Sequence, residues 1–329
     1  MRHTKNYMPF RPAFGRISYP GFFLIAVLTV LTLSSCTKER KSAKAGRAMQ
    51  AFVESISDYA RSFDPAFIII PQNGAELLYR NLAYEEGTDP LFLSAIDGMG
   101  AEELFYNGTY SPDAYRLKLL AGVAGEKTVL VSDYLNDSSY LTHALALCRD
   151  SSFLAFPRTP DNYYYNHIPT FIENENSRNI EKLSDAENYL YFIGAPYEKK
   201  EELIAALKGD NHDLVIIDLF VGGEALAAAD LAQLKRKENG GRRLLIAYVS
   251  IGSAERYRYY WQAEWKRGHP AWLKKNYDGY PDEIWVDFED PAWQSIVCGN
   301  DSSYLHRILE AGFDGAYLDN VEAYYSLYH

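Results

Sequence analysis

Three stretches in the last third of the chain begin as apolar runs of strand length and end in carboxylates or amides: 245–255, 283–294 and 312–324. Asp319 ends one such run, and Asp218, Glu255 and Asp287 each follow another. Pairs of carboxyl groups held at different pKa values can divide general-acid work from general-base or nucleophilic work. Repeated strand-to-acid junctions predict parallel strands whose C-terminal ends converge on one acidic mouth, as in barrel enzymes.

The elements that must position these residues follow from patterning. Apolar, β-rich runs at 67–71, 94–106, 128–134, 153–157, 189–194, 214–219, 244–251, 284–288 and 315–318 read as strands buried on both faces. Amphipathic segments at 46–61, 199–208, 225–237 and 302–311 read as the helices between them. The alternation predicts an α/β fold, a (β/α)8 TIM barrel. Nine runs for eight barrel places leave one outside, and 153–157 is the expected outlier. The polar, aromatic stretch 158–185, with Tyr163, Tyr164 and Tyr165, reads as a long excursion of the functional kind.

The first residues are of another type. Arg2, Lys5, Arg11 and Arg16 precede a short apolar run, 22–33, and then Ser34-Ser35-Cys36. A run this short fits a signal peptide better than a membrane span. Its ending resembles a bacterial lipobox, which implies lipidation of Cys36 and a place in the cell envelope. The expected organisation is a signal peptide over 1–35, a tether over 36–45 and one catalytic-type domain over 46–329. The chain of 329 residues carries a net charge of −11, and residues 1–35 hold four basic and no acidic residues, so the remainder carries −15. Such a surface argues against nucleic acid as a partner. Cys148 and Cys298 are the remaining cysteines, and a bridge between them is possible in an oxidising compartment.

Several motifs together resemble one family. Tyr248-Val-Ser-Ile-Gly252 with Ala254-Glu255, Trp285-Val-Asp287, Leu214-Val-Ile-Ile-Asp218 and Gly312-Phe-Asp-Gly-Ala-Tyr-Leu-Asp319-Asn320 look like glycoside hydrolase family 114. The resemblance covers roughly residues 46–329. It implies a TIM barrel and endo-α-1,4-polygalactosaminidase-like activity on an α-linked polysaccharide, with no cofactor and no metal. Ile68-Ile-Ile-Pro-Gln72-Asn73-Gly74 and Ile96-Asp97 through Tyr106 resemble motifs that usually follow the Leu-Asp-Asn strand; here they precede it. That order predicts a circularly permuted barrel, closed by pairing the strand near Gly315 with the one near Phe67.

By the same resemblance Asp319 is the expected nucleophile or stabiliser and Glu102 the acid/base, with Glu103 as its neighbouring alternative. Asp218, Tyr248, Glu255, Asp287, Gln72, Asn73, Asp133 and Asn320 are expected to bind substrate, with structural roles open for each. Asp314 precedes its strand and is expected at the opposite end, in a turn. The five tryptophans could stack on sugars, but a core role serves them equally, Trp261 and Trp265 being four apart on an expected helix. Ser253, Ala101, Tyr317 and Glu322 depart from the family pattern, which puts polygalactosamine itself in doubt. The alternatives are an exo-acting glycosidase and a non-catalytic glycan-binding lipoprotein. No phosphate loop, paired-cysteine metal pattern or nucleophile elbow is present in the sequence. His143, His167, His212 and His269 are expected on the surface or in loops.

Overall fold

The computed structural model describes residues 22–328, with side chains from Lys41 onward. The chain falls into two units, Met1–Lys41 and Ser42–His329. The expected leader and the lipidation site at Cys36 lie outside the residues whose side chains are described. Among the described residues no helix is long and apolar enough to cross a membrane.

In chain order the elements are α1 (Phe22–Phe63), β1 (Ile68–Pro71), α2 (Pro90–Ala95), β2 (Gly98–Tyr110), α3 (Ala114–Ala121), β3 (Thr128–Leu135), α4 (Leu141–Asp150) and β4 (Leu154–Ala155). Then come β5 (Tyr189–Tyr191), α5 (Lys200–Lys208), β6 (Leu214–Asp218), the small ribbon β7 (Phe220–Val221) and β8 (Glu224–Ala225), α6 (Ala228–Leu234) and β9 (Leu244–Ser250). The last are β10 (Ser253–Glu255), β11 (Leu273–Asn276), β12 (Glu283–Val286), α7 (Pro291–Val297), α8 (Tyr304–Ala311), β13 (Gly315–Asp319) and α9 (Ala323–Ser326).

The principal sheet is parallel, in the order β1-β13-β9-β6-β5, and a second parallel sheet runs β2-β3-β4. The expected pairing of the first strand with the last is present: Ile68 lies opposite Gly315 and Pro71 opposite Leu318. A parallel bridge from Gln72 to Gly100 joins the two sheets at the β1–β2 seam. Among the described residues no ladder joins β4 to β5. The architecture is therefore α/β with parallel sheets, and the hydrogen bonds trace no closed ring.

Why these runs form strands is legible in their burial. All seven residues of β9 are buried, as are the first four of β6 and β13, as expected for strands covered on both faces. In α1, Ala45, Met49, Phe52, Val53, Ile56 and Ala60 form one apolar stripe at helical spacing, all buried. Gly100 admits the phenol of Tyr317, where an added Cβ would come within 2.0 Å of the hydroxyl.

Two strand expectations are corrected. The 153–157 run is not the outlier, since Leu154 and Ala155 pair in parallel with Leu130 and Val131. The outlier is 284–288: β12 pairs antiparallel with β10 and β11 in a separate three-stranded sheet. Its neighbour β10 follows β9 within three residues, so the chain turns out of the parallel layer there and brings β12 with it. The stretch holding Trp261 and Trp265 forms turns rather than a helix.

Candidate active site

The C-terminal ends of the parallel strands open into a cleft of about 920 Å³. Asp319 is the last residue of β13, and Tyr248 lies on its neighbour β9. The Tyr248 hydroxyl donates to Asp319 Oδ2 at 2.6 Å, and the Asn320 N–H donates to Oδ1 at 2.8 Å. Burial, then the charge of Glu102, raises the Asp319 pKa to about 7.

Glu102 faces the same cleft from β2, at an irregularity in the β2–β3 register. Its Oε2 accepts from Gln72 Nε2 at 2.5 Å and from Asn73 Nδ2 at 3.5 Å, and its Oε1 accepts from the Tyr165 hydroxyl. Gln72 is held in turn by the Tyr191 hydroxyl, which donates to its Oε1 at 2.8 Å. The backbone here is unusual. Asn73, Glu103 and Asn320 have φ of 65°, 52° and 61°, a region that costs a non-glycine residue energy unless its surroundings impose it. Arg116 supplies part of that restraint, donating to the carbonyls of Glu102 and Glu103 at 2.9 and 2.8 Å.

The third carboxylate at the centre is Glu322, three residues past Asp319. One of its oxygens is shut from solvent and has no hydrogen-bond partner. Burial, then Asp319, raises its pKa to about 8. Glu283, at the start of β12, accepts from Ser253 Oγ at 2.9 Å and is raised to about 7 by burial and then Glu255. Burial combined with like charge is the arrangement that keeps some carboxyls protonated near neutral pH.

Asp218 and Glu255 line the cleft but are paired. Arg258 bonds Asp218 Oδ2 at 2.5 Å and Glu255 Oε2 at 2.6 Å, while Tyr257 donates to Glu255. Burial pushes Asp218 up, offset first by Arg258. Glu103, also lining the cleft, meets Arg158 at 3.5 Å, and burial raises it against that cation's pull. Asn320 is buried, its amide donating to Ser250 and Ser253 and its oxygen accepting from Tyr277. Gly252 lets this turn close, since a Cβ there would lie 1.9 Å from the Asn320 carbonyl oxygen.

Two expected substrate ligands are elsewhere. Asp133 is buried under β2, its Oδ1 accepting from the N–H groups of Leu104 and Phe105 at 2.7 and 3.0 Å; it secures the strand that carries Glu102. Asp287 follows β12 and pairs with Lys274 at 3.0 Å, away from the cleft because its strand left the parallel layer. Asp314 lies where expected, in a turn, bonding Lys235, Arg242 and the Leu245 N–H.

The aromatic lining comes from tyrosines, Tyr163, Tyr164, Tyr165, Tyr277 and Tyr280 among them, not from tryptophan. Trp261, Trp265, Trp272 and Trp293 form a chain of ring contacts, and Trp285 stacks on Tyr277 at 4.3 Å. His143, His167 and His269 are exposed, and His212 lies in the loop before β6, buried against Asp210 at 2.6 Å. Cys148 and Cys298 are free thiols. Among the described residues no group of His, Cys, Asp and Glu could hold a metal ion.

Sequence reasoning undervalued four groups of this cleft. Glu322 was visible three residues after Asp319, and Arg258 three after Glu255. Tyr165 stood in the aromatic excursion. Glu283 gave no signal beyond starting an apolar run.

Comparison with known proteins bears on the C-terminal part. Residues 205–328 match the sequence profile of glycoside-hydrolase family GH114. An uncharacterized protein of Deinococcus radiodurans is 41% identical over 112 residues, 34% of each chain. One of Methanocaldococcus jannaschii is 32% identical over 149 residues, 45% of this chain and 41% of its own. One of Thermotoga maritima is 30% identical over 118 residues, 36% of this chain and 35% of its own. The chain thus spans about a third to two fifths of the length of these curated relatives. The matched segment holds Asp218, Tyr248, Glu255, Asp319 and Glu322, whereas Gln72 and Glu102 precede it. Over residues 205–328, and so across the strands bearing Asp319 and Tyr248, this chain is similar to glycoside hydrolase family 114.

Proposed function

We propose that the chain is a glycoside hydrolase that cuts an α-linked polysaccharide with Asp319 and Glu102 as its carboxyl pair. The observation that carries this reading is the convergence of Asp319, held by Tyr248, and Glu102, held by Gln72 and Tyr165, on one cleft. Glycosidic cleavage needs one carboxyl to protonate the leaving oxygen and one carboxylate to attack carbon or activate water. It also needs the two held in different protonation states. Here burial, then the charge of Glu102, raises Asp319 to about 7 although Tyr248 and Asn320 both donate to it.

That rise favours exchanging the roles expected from the sequence. Asp319 would serve as the proton donor and Glu102 as the nucleophile or base. Activated substrates separate the two assignments: a leaving group that needs no proton restores turnover to the variant lacking the acid, and not to the one lacking the nucleophile or base.

The acidic lining suits a polymer bearing amino groups, such as partly deacetylated galactosaminogalactan. Pairing of the first and last parallel strands supports the further reading that this is a permuted (β/α)8 barrel. Cleavage after Ser35 and lipidation of Cys36 would place it in the cell envelope; acyl labelling of Cys36→Ala against the parent chain tests that. Release of oligosaccharides by the parent but not by Asp319→Asn or Glu102→Gln tests the hydrolase reading itself.

A further inference from the structure

Beside the acidic cleft lies a second cavity of about 430 Å³, within the range of small-ligand sites, about 300–1,000 Å³. The two share Ile193, Asp218, Tyr257 and Arg258 in their walls. Tyr257 stands at this threshold, an exposed residue whose hydroxyl is tied to Glu255.

The second cavity differs in chemistry from the first. Aromatic and aliphatic side chains, Phe220, Tyr259, Leu203 and Val221 among them, share its walls with Arg258 and the backbone of Gly222 and Gly223. Its sole carboxylate is Asp218, already paired with Arg258. The aromatic wall is braced from behind. The Phe220 and Tyr259 rings lie 5.5 Å apart, Tyr259 stacks on Tyr304 at 5.7 Å, and Arg307 sits over Tyr259 at 4.2 Å. The β7–β8 ribbon forms the rim, and a Cβ at Gly222 would come within 1.8 Å of the Glu198 carbonyl oxygen, so this rim is packed against its neighbour.

We infer that this second cavity is a subsite for an uncharged sugar unit of the polymer, continuous with the acidic cleft across Tyr257. Apolar sugar faces pack on aromatic rings, and the one carboxylate of this cavity is already bound to Arg258, so the contacts it offers suit an uncharged ring. A chain held in both cavities would place an uncharged unit here and the bond to be cut beside Asp319. The inference deepens the glycosidase reading and rests on it for the position of the cleaved bond.

The test uses full-length protein in detergent carrying Asp319→Asn, with calorimetric binding of α-1,4-linked N-acetylgalactosamine oligomers of two and six sugars. Two further variants are compared with it: Phe220→Ala, which removes wall, and Ala195→Trp, which fills the cavity. The six-sugar oligomer is expected to bind at least tenfold more tightly than the two-sugar one, and both variants should abolish that gain while leaving the shorter ligand unaffected. Circular dichroism of each variant guards against misfolding. A length-dependent gain that survives both variants, or no gain at all, overturns the subsite. Turnover by the active chain is read separately. Products without the length-dependent gain would leave the hydrolase standing and remove the subsite, and the gain without products would do the reverse.

Discussion

Glu322→Gln should stabilise the protein above neutral pH and leave it unchanged in acid. Glu322 has one buried oxygen without a partner and a pKa raised from 4.5 to about 8, by burial first and then by Asp319. Because its folded pKa lies above the unfolded one, the folded state binds more protons between these two values. Stability therefore falls as pH rises through about 4.5 to 8. One pKa unit corresponds to about 1.4 kcal/mol, which sets a ceiling of about 5 kcal/mol for such a shift. Glu322 is only half-buried by surface area, and relaxation around the charge reduces the penalty further, so about 2 kcal/mol is the expected gain at pH 8.5. Glutamine keeps the shape and removes the charge. Urea denaturation of both proteins at pH 4.5 and 8.5 reads the difference directly. Equal effects at the two pH values, or a loss at pH 8.5, would refute the view that Glu322 is a crowded, desolvated carboxylate.

Other substitutions separate roles within the site. Tyr165→Phe removes a phenolic donor to Glu102 and should lower kcat/KM by about 10–100-fold, as a lost bond to a charged group implies, with unchanged circular dichroism; an unchanged rate would remove Tyr165 from the machinery. Arg258→Met strands Asp218 and Glu255 as buried unpaired charges and should cost about 3–5 kcal/mol in urea denaturation at pH 7, and a cost under about 1 kcal/mol would contradict the ion-pair account. Asp133→Ala removes the acceptor for two strand N–H groups and should destabilise by about 2 kcal/mol while leaving KM unchanged, whereas a raised KM with normal stability would restore it as a substrate ligand.

The sequence was most legible where one force decides the outcome. Strands buried on both faces are unbroken apolar runs, so β1, β3, β6, β9 and β13 fall within a residue or two of their expected places. The acid at the end of β13 could be read because strand direction alone fixes which end carries it. Asp287 misled because its run is equally apolar yet joins an antiparallel sheet, and partner choice is not written in a strand's own composition. Asp133 misled for a different reason: it sits in an apolar run near the mouth, but its side chain turns to satisfy backbone donors of β2. The tie from Tyr165 to Glu102 and the bond of Arg258 to Asp218 join residues 63 and 40 positions apart, which no local pattern encodes.

The most direct measurement is a mass-spectrometric product assay. Full-length protein in detergent would be incubated with partly deacetylated galactosaminogalactan, beside Asp319→Asn and Glu102→Gln. Oligosaccharides from the parent chain, and at least a hundredfold fewer from either variant, are the predicted result for a catalytic carboxyl pair. Products released equally by the parent and both variants would contradict the assignment of Asp319 and Glu102 as the cleaving pair.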